Sequence, residues 1–321
     1  MAQQANYALP AGFQLDDYQI DRQLSLGGFS IVYLATDAAG MEVAIKEYLP
    51  NSLALRGEGG IKPIITAEHV PAFRYGMKCF FEEGRALAKL SHPNVVRVLN
   101  FFRANDTVYM VMEYEHGRTL QEFIQKNRPA VTENFIRNVF TKLLNGLREV
   151  HSHKLLHLDL KPSNVYLRND YTPVLIDFGA ARQTLALDTP MLKPMYTPGF
   201  ASPEHYTQRD LLGPWSDIYS IGASMYACLA GAAPQAADSR LEKDVLVPAM
   251  VRWERQFSDQ LLETLDWCLC LNHLYRPQSV FALQKALTEQ VVTPQPPREE
   301  SWANQSIGQL VGKLRKKIGR K

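Results

Sequence analysis

Cysteine is scarce in this sequence, and two kinds of segment are missing. The 321 residues contain four cysteines, and the closest two, Cys268 and Cys270, lack the spacing of a CxxC zinc or redox pair. Reduced, buried thiols are therefore expected, as in a cytoplasmic protein. The opening residues, MAQQANYALPAG, show no basic segment and no apolar run, so no signal peptide is expected. No stretch of about 18 continuous apolar residues occurs, so no transmembrane helix is expected either.

A strong net charge is also lacking, and the small charge present is unevenly placed. The formal net charge is +2 at pH 7. The last nine residues, KLRKKIGRK, contain six basic residues and no acidic one, so the rest of the chain is mildly acidic. A nucleic-acid-binding domain would carry a basic face, so no nucleic-acid partner is expected. Hydrophobic residues make up 46% of the chain, which is enough to form a sizeable core.

The order of the predicted elements divides the chain into a β-rich front and a helical back. The segments YQIDRQLSL, SIVYLATD and MEVAIKEYL are rich in β-branched and aromatic residues and read as strands. An apolar stripe from Phe73 to Leu90 predicts a helix, and several later segments also show helical periodicity. We therefore predict a bilobal α+β fold. Its expected parts are an N-terminal extension at 1–17, a small β-rich lobe at 18–114, a larger, mainly helical lobe at 115–290, a proline-rich linker at 291–304 and a basic amphipathic tail at 305–321.

A glycine-rich hairpin is the first motif with chemical meaning. In the segment LSLGGFSIVYLA, glycines would let backbone N–H groups approach nucleotide phosphates, because glycine has no Cβ. Against the pattern G-x-G-x-x-G-x-V, only Gly27 matches, and Ser25 and Ser30 occupy the other two glycine positions. The motif alone is therefore weak.

A lysine on the next predicted strand strengthens that interpretation. The motif VAIK ends at Lys46, which could reach the phosphates of a nucleotide. A buried ammonium without a partner is costly, so a carboxylate is expected nearby. On the following helix Glu83 shares the inward apolar stripe, whereas Glu82 points about 100° away from it. Glu83 is therefore the predicted partner.

Two further motifs complete a phosphoryl-transfer pattern. The segment HLDLKPSN, residues 157–164, has Asp159 and Asn164 at the offsets of the loop H-R-D-x-x-x-x-N, in which Asp takes a hydroxyl proton and Asn holds a metal. Leu158 stands where that loop has Arg. The segment VLIDFGAAR places Asp177 at the end of an apolar strand, where Asp-Phe-Gly supplies an oxygen ligand for Mg²⁺. Gly179 would permit an unusual backbone turn there.

Taken together and in this order, these motifs resemble the eukaryotic-like protein kinase family, and most of all its bacterial Ser/Thr members. The resemblance covers roughly Tyr18 to Leu287. Within TPGFASPE, Thr197 matches the threonine of the substrate-binding segment and Glu204 the glutamate of A-P-E. SDIYSIG supplies Asp217 as an anchoring acid, and LYRP supplies Arg276 as the buried partner of that glutamate. The resemblance implies a kinase that phosphorylates Ser and Thr hydroxyls of protein substrates.

The resemblance also implies roles, position by position. Asp159 would be the catalytic base, or would orient the hydroxyl, and Lys161 would meet the γ-phosphate of ATP. Lys46 would neutralise the α- and β-phosphates once Glu83 positions it, and Asn164 with Asp177 would hold Mg²⁺. Met112 matches the gatekeeper residue, and the backbone groups of Glu113 and Glu115 would meet adenine. The expected ATP-binding set is Leu26, Gly27, Gly28, Phe29, Val32, Ala44, Lys46, Met112, Glu113, Glu115 and Tyr166.

Leu158 carries a prediction about regulation. In most of the family the arginine at this position is a buried cation that requires a phosphate on the activation segment. Leucine removes that charge and leaves Asp159 in place. We therefore predict activity that does not depend on phosphorylation of the activation segment, although Thr184, Thr189 and Tyr196 offer hydroxyls there.

Two other functions compete with an active protein kinase. A nucleotide-binding pseudokinase scaffold would fit the serines in the glycine-rich hairpin and Leu158. A small-molecule kinase of similar fold is disfavoured by TPGFASPE and Arg276. His157 is expected to be a core residue stacked near Phe178 rather than an acid or a base. Five retained residues favour the active enzyme: Lys46, Glu83, Asp159, Asn164 and Asp177.

The basic tail has three readings. From Ile307 to Ile318, apolar residues recur at steps of three and four, with basic residues between them. Such a helix could lie on an anionic membrane, dock on the acidic body or on a partner, or remain a solvated end. The linker TPQPPREE favours reach, so the prediction leans toward a membrane surface and a peripheral location.

Overall fold

The computed structural model describes residues 6–178 and 196–288. All of them belong to one compact unit, which ends at Val291. The predicted linker and tail, and the predictions for Gly179, Thr184 and Thr189, therefore lie outside the described residues. Within the described part of the chain, no helix is long and apolar enough to cross a membrane.

A six-stranded antiparallel sheet forms the front lobe. Its strands are β1 (Gln14–Leu15), β2 (Tyr18–Leu26), β3 (Ser30–Asp37), β4 (Glu42–Tyr48), β5 (Val98–Ala104) and β6 (Thr107–Glu113). Their order in the sheet is β1-β2-β3-β4-β6-β5. Alternation of side chains along β4 places Lys46 on one face and Glu47 on the other, and both are buried.

One long helix, α1 (Val70–Leu87), packs on this sheet. Its stripe is the predicted one, because Phe73, Phe80 and Glu83 are buried whereas Glu82 is part-exposed and pairs with Arg85. Gly76 lets the helix approach the sheet closely, because a Cβ there would lie 1.9 Å from the hydroxyl oxygen of Tyr48. The segment between β4 and α1 has no regular strand, and IKPIIT contributes only an isolated bridge, Leu55 with Ile64.

The back lobe is mainly helical and holds a small sheet near the cleft. The sheet consists of β7 (Gly117–Thr119), β8 (Val165–Arg168) and β9 (Pro173–Leu175). The helices are α2 (Leu120–Lys126), α3 (Glu133–Ser152), α4 (Pro203–Thr207), α5 (Pro214–Ala230), α6 (Ala237–Glu242), α7 (Ala249–Arg252), α8 (Asp259–Cys268) and α9 (Val280–Thr288). Helix α5 is buried on nearly every side and forms the centre of this lobe. The predicted bilobal α+β fold is confirmed.

The start of the described chain is part of the front lobe. Residues 6–15, here called the strap, run over the face of the sheet that carries Glu47. Leu9 and Leu15 are buried in the core, and β1 pairs with β2. Residues 6–15 of the predicted extension therefore pack as a component of this lobe.

Candidate active site

A cleft of about 600 Å³ lies between the two lobes of this unit. Strands β3 and β4, helix α1, the chain after β6 and the ends of β8 and β9 all contribute to its walls. Many of the predicted site residues meet there, although they are far apart in sequence. Those that line the cleft are Val32, Ala44, Lys46, Glu83, Met112, Glu113, Glu115, Asn164, Tyr166 and Asp177.

Lys46 is buried in this cleft and carries an ion pair. Its Nζ lies 2.5 Å from Oδ1 of Asp177, and the residue is 5% exposed. Asp177 adopts a left-handed backbone conformation, with φ of 60°. Glu83, 3% exposed, lines the same cleft. The ion pair seen for Lys46 thus joins it to the predicted metal ligand, and its pairing with Glu83 stays a prediction.

The side chains of the catalytic-loop motif form a closed hydrogen-bonded group. Lys161 Nζ donates to Asp159 Oδ2 and to Thr197 Oγ1, each at 2.7 Å. Thr197 Oγ1 in turn donates to Asp159 Oδ1 at 2.8 Å. Asn164 Nδ2 donates to the backbone oxygen of Asp159 at 2.9 Å. The catalytic loop, through Lys161, and the substrate-binding segment, through Thr197, therefore converge on one carboxylate.

A buried carboxylate holds the backbone of this loop. Asp217 on α5 is fully buried, and its oxygens accept hydrogen bonds from the backbone N–H groups of His157 at 2.9 Å and Leu158 at 2.8 Å. Leu158 has φ of 62°, a left-handed conformation that is unusual for leucine. The two anchored N–H groups fix this strained turn, which directly precedes Asp159.

Burial and hydrogen bonding set the protonation of these anchoring groups. Burial would raise the pKa of Asp217, but hydrogen bonding and charge from His151, together with His157, lower it below its ordinary value. Burial lowers the pKa of His157, so its imidazole is neutral. Its ring lies 4.5 Å from that of Phe178, as expected for a core residue.

A second histidine, His205, contacts the backbone of the same turn at Leu158. His205 is buried, and its Nε2 lies 3.1 Å from the backbone oxygen of Leu158 while its Nδ1 lies 2.9 Å from Ser202 Oγ. Burial lowers the pKa of His205 as well. Sequence reasoning missed this histidine, because its only signal is its position directly after the A-P-E-like segment.

The chain between the lobes presents backbone groups to the cleft. Met112 and Glu113 end β6, and the N–H of Glu113 is already bonded to the backbone oxygen of Arg97. The carboxylate of Glu115 forms two hydrogen bonds of 2.6 Å with the guanidinium of Arg168. The side chain of Glu115 is thus bound to Arg168. The predicted contact with adenine was assigned to its backbone groups, which this pairing leaves unaffected.

The glycine-rich hairpin is fastened at its tip. Its predicted residues Gly27, Gly28 and Phe29 are not among those that line the cleft, whereas Ser25 is. The backbone oxygens of Gly28 and Phe29 accept hydrogen bonds from Asn51 and Leu49, each at 2.9 Å. A Cβ added at Gly27 or Gly28 would meet protein atoms no closer than 3.5 Å, an ordinary contact. The folded chain therefore does not itself require glycine at these positions, which suits the approach of a ligand.

One wall of the cleft differs from the prediction. Leu24 lines the cleft, whereas Leu26, the residue chosen from the sequence, is not among the lining residues and is 45% exposed. The register of β2 against β3 shifts between Gln23 and Ser25. Such a bulge reverses which face later residues occupy, so alternation alone could not place Leu26. Other lining residues that sequence reasoning missed include Arg22, Leu87, Val96, Met110 and Tyr114.

The predicted ion pair between Arg276 and Glu204 is present in the helical lobe. Arg276 Nη1 lies 2.9 Å from Oε1 of Glu204, and both residues are buried. The remaining N–H groups of Arg276 donate to backbone oxygens, including those of Cys270 and Leu271. This pair ties the end of the A-P-E-like segment to the chain before α9.

The residues of the cleft fit a nucleotide and Mg²⁺. A volume of about 600 Å³ lies in the range of small-molecule sites. Asn164 uses its amide nitrogen for the loop, which leaves an amide oxygen, and Asp177 offers a part-exposed carboxylate. Oxygen donors of this kind are the ligands that Mg²⁺ prefers. Among the described residues, no group of three or more His, Cys, Asp and Glu forms a separate metal cluster.

Fold and site together agree with one known family of bilobal proteins. Residues 18–290 match the protein kinase domain family, so the chain belongs to the protein kinase family. Serine/threonine-protein kinase B of Synechocystis sp. is 31% identical over 81% of this chain and 44% of its own length. Serine/threonine-protein kinase PLK4 of Nematostella vectensis is 28% identical over 73% of this chain. The chain spans only 22% of that second relative's length.

Solved structures agree with this membership. The structure titled PpkA-294 apo form is 32% identical, with a TM-score of 0.77, over 87% of this chain and 99% of that one. The kinase domain of Mycobacterium tuberculosis PknI has a TM-score of 0.65 at 20% identity over 88% of this chain and 98% of that one, a likeness of fold. The predicted family, a eukaryotic-like Ser/Thr protein kinase of bacterial type, is confirmed.

Proposed function

We propose that this protein is an ATP- and Mg²⁺-dependent serine/threonine protein kinase. The observation that carries the proposal is the convergence of Lys161 and Thr197 on the carboxylate of Asp159, within 2.8 Å, beside the Lys46–Asp177 pair. Asp159 and Lys161 are not among the residues that line the cleft, but Asn164 lines it and donates to Asp159 Oδ2 at 3.2 Å. The charged groups that phosphoryl transfer requires therefore lie in the cleft or directly beside it. Relatives named serine/threonine kinases support the choice of substrate hydroxyl.

The chain's own residues have distinct parts in the reaction. The oxygen of a substrate Ser or Thr bonds to the γ-phosphorus as the bond to ADP breaks, and Asp159 orients the hydroxyl and accepts its proton. Lys161 and Lys46 stabilise negative charge on the phosphates. Mg²⁺, held by Asn164 and Asp177, supplies further charge neutralisation when bound. Thr197 donates to Oδ1 of Asp159 and so keeps that carboxylate oriented.

A nucleotide-binding scaffold without catalysis is the weaker alternative. Such a scaffold would need no base, and the ordered contacts around Asp159 would have no purpose in it. The serines of the glycine-rich hairpin do not weigh against activity, because the hairpin keeps open glycines at 27 and 28.

The test uses the purified protein with labelled ATP, Mg²⁺ and a generic Ser/Thr protein substrate. Asp159→Ala, Asp177→Ala and Lys46→Ala should each lower phosphoryl transfer by about a hundredfold or more, because each removes positioning or charge stabilisation. ATP binding should survive best in Asp159→Ala, since that residue faces the hydroxyl. Full activity of Asp177→Ala would refute the proposal.

We further propose that activity does not require phosphorylation of the activation segment. Leu158 is 1% exposed and brings no cation to the loop, and its turn is held by Asp217 and His205. The double variant Thr184→Ala/Thr189→Ala and phosphatase-treated protein should stay within a fewfold of the untreated wild type. Leu158→Arg should lower basal activity, because it buries an unpaired charge. A loss of tenfold or more in the double variant would contradict this regulation.

For the tail we propose contact with an anionic membrane surface. The proposal rests on the alternation of basic and apolar residues after Ile307. Sedimentation with anionic and neutral vesicles, at low and high salt, is the test. Binding to anionic vesicles that is lost at high salt and on deletion of residues 302–321 is expected. Equal recovery in the supernatant with and without the tail would refute it.

A further inference from the structure

A buried charged cluster lies directly behind Lys46, on the other face of the sheet. Glu47 forms two hydrogen bonds with the guanidinium of Arg56, at 2.6 and 2.7 Å. The hydroxyls of Tyr33 and Tyr109 donate to the same carboxylate at 2.7 and 2.8 Å. None of these four residues is more than 1% exposed. We call them the Glu47 cluster, and the function proposed above gives them no role.

The strap completes this cluster. The backbone oxygen of Tyr7 accepts from Arg56 Nε at 2.8 Å, and Asn6 Oδ1 accepts from the backbone N–H of Arg56 at 2.6 Å. Asn6 Nδ2 also donates to the backbone oxygen of Ala54 at 3.2 Å. The N–H of Leu9 donates to the hydroxyl of Tyr33 at 3.1 Å. The strap therefore contacts the cluster through three successive parts of its own chain.

The guanidinium of Arg56 is fully satisfied only with the strap in place. Its five N–H groups have five acceptors: two oxygens of Glu47, the hydroxyl of Tyr33 and the backbone oxygens of Ile61 and Tyr7. A buried ion pair is stable only when its remaining donors and lone pairs are also met. Loss of the strap would leave one donor without an acceptor and would open the pair to water.

The cluster is connected to the active site by the covalent chain. Glu47 follows Lys46 on β4, and Arg56 lies in the segment that leads from β4 to α1. The pair therefore fixes the strand that carries Lys46 relative to the segment that feeds the helix carrying Glu83. Tyr48, the next residue, packs its ring 5.1 Å from that of Phe73 on α1. Strand β4, the segment that follows it and helix α1 are thus all connected to the ion pair of Glu47 and Arg56, directly or through Tyr48.

We infer that the strap and the Glu47 cluster are positioning elements that hold Lys46 in the cleft. The inference rests on the proposed kinase function for its catalytic consequence, but the placement of Lys46 can be measured without any turnover. It assigns a role in catalysis to Asn6, a residue that touches neither nucleotide nor substrate and lies 40 positions before Lys46 in the chain.

The test compares two neighbouring substitutions in the full-length protein. Asn6→Ala removes a buried side chain that bonds to Arg56 and Ala54. Tyr7→Ala is the matched control, because Tyr7 contacts Arg56 through its backbone and is 46% exposed. The readout is the rate at which Lys46 is acetylated by a soluble anhydride, followed by mass spectrometry, with exposed Lys62 as the internal standard.

In Asn6→Ala we expect Lys46 to be acetylated at least fivefold faster than in the wild type, with Lys62 unchanged and circular dichroism showing folded protein. Phosphoryl transfer should fall about tenfold in kcat/KM for ATP. Tyr7→Ala should stay within twofold of the wild type in both measurements. Glu47→Gln, which keeps the shape but removes the charge, should behave like Asn6→Ala.

The outcomes separate this inference from the proposed function. If Asn6→Ala lowers the melting temperature but leaves the acetylation of Lys46 unchanged, the strap only stabilises the lobe and the inference is wrong. Faster acetylation in Asn6→Ala, together with a wild type that transfers no phosphate, would keep the positioning role and refute the kinase activity. An equal change in Tyr7→Ala would also overturn the assignment to Asn6.

Discussion

Each lobe contains a buried arginine–glutamate pair, and the two pairs are compensated differently. In the front lobe, Arg56 contacts both oxygens of Glu47 at 2.6 and 2.7 Å. In the back lobe, Arg276 contacts Glu204 at 2.9 and 3.4 Å, and it donates to three backbone oxygens besides. The first arginine depends mainly on a carboxylate, and the second depends largely on the backbone.

The pKa shifts of the two arginines have opposite signs for this reason. Burial would lower the pKa of Arg56, but hydrogen bonds and charge from Glu47 raise it. Burial lowers the pKa of Arg276, and Glu204 only partly opposes the change. The comparison teaches that a buried cation can be held by charge or by carbonyl dipoles. The two solutions should respond differently when the carboxylate is removed.

Removal of the front-lobe carboxylate should have the largest effect. Glu47→Ala leaves Arg56 and two tyrosine hydroxyls without their common partner in a site closed to water. Breaking a buried pair in this way costs about 3–5 kcal/mol in free energy of unfolding. Urea titration followed by tryptophan fluorescence measures the change. A loss below 1 kcal/mol would show that water or another group replaces the carboxylate.

The matching substitution in the back lobe should have a smaller effect. In Glu204→Ala, Arg276 keeps its backbone acceptors and its ring contact with Tyr219, whose centroid is 4.9 Å away. We expect a loss of about 1.5–3 kcal/mol, as for a hydrogen bond to a charged group. The same urea titration applies. A loss equal to or greater than that of Glu47→Ala would contradict the comparison.

Acid should destabilise the two lobes unequally. The lowered pKa values of His157 and His205 mean that the folded state resists their protonation, so their contribution is complete above the unfolded value near 6.5 and is lost as pH falls below it. Asp217 adds a loss at lower pH, since its pKa is also lowered. Hydrogen exchange at pH 7.5 and 5.5, extrapolated to a common chemical rate, should show increased opening in the back lobe first.

The strongest control for this pH effect is His157→Phe, which retains an aromatic ring beside Phe178. Its stability should depend less on pH between 7 and 5, by up to about 1.4 kcal/mol per pH unit at full effect. An unchanged slope would mean that His157 does not titrate in this range.

The exposed ion pair between Lys62 and Asp106 should contribute least to the free energy of unfolding. Lys62 Nζ lies 3.0 Å from Asp106 Oδ2, and both side chains are 65% exposed. Lys62→Ala should change the free energy of unfolding by no more than about 1 kcal/mol, because solvent screens exposed charges. The same denaturant series measures it. A larger effect would show that the segment between β4 and α1 depends on contacts beyond the Glu47 cluster.

Much of the site could be predicted because its residues lie in short motifs with fixed element context. The inward direction of Glu83 followed from helical period. The resemblance assigned Asp159 to the catalytic loop and Thr197 to the substrate-binding segment, but it did not predict their hydrogen bond. Other features had no such signal. The bulge in β2 changes which of its residues line the cleft, and it is visible only in the pairing of β2 with β3. Glu47 and Arg56 are nine residues apart across an irregular segment, so no period connects them.

The close contact between Gly76 and Tyr48 restricts how this sequence can diverge. The hydroxyl of Tyr48 fills the volume that a β-carbon at position 76 would occupy, and its ring carbon lies only 2.7 Å from that point. Phenylalanine at position 48 would therefore not make enough room for alanine at position 76. A larger residue at position 76 of the helix therefore requires a much smaller one at position 48 of the strand. Among related chains they should covary, although 28 residues separate them.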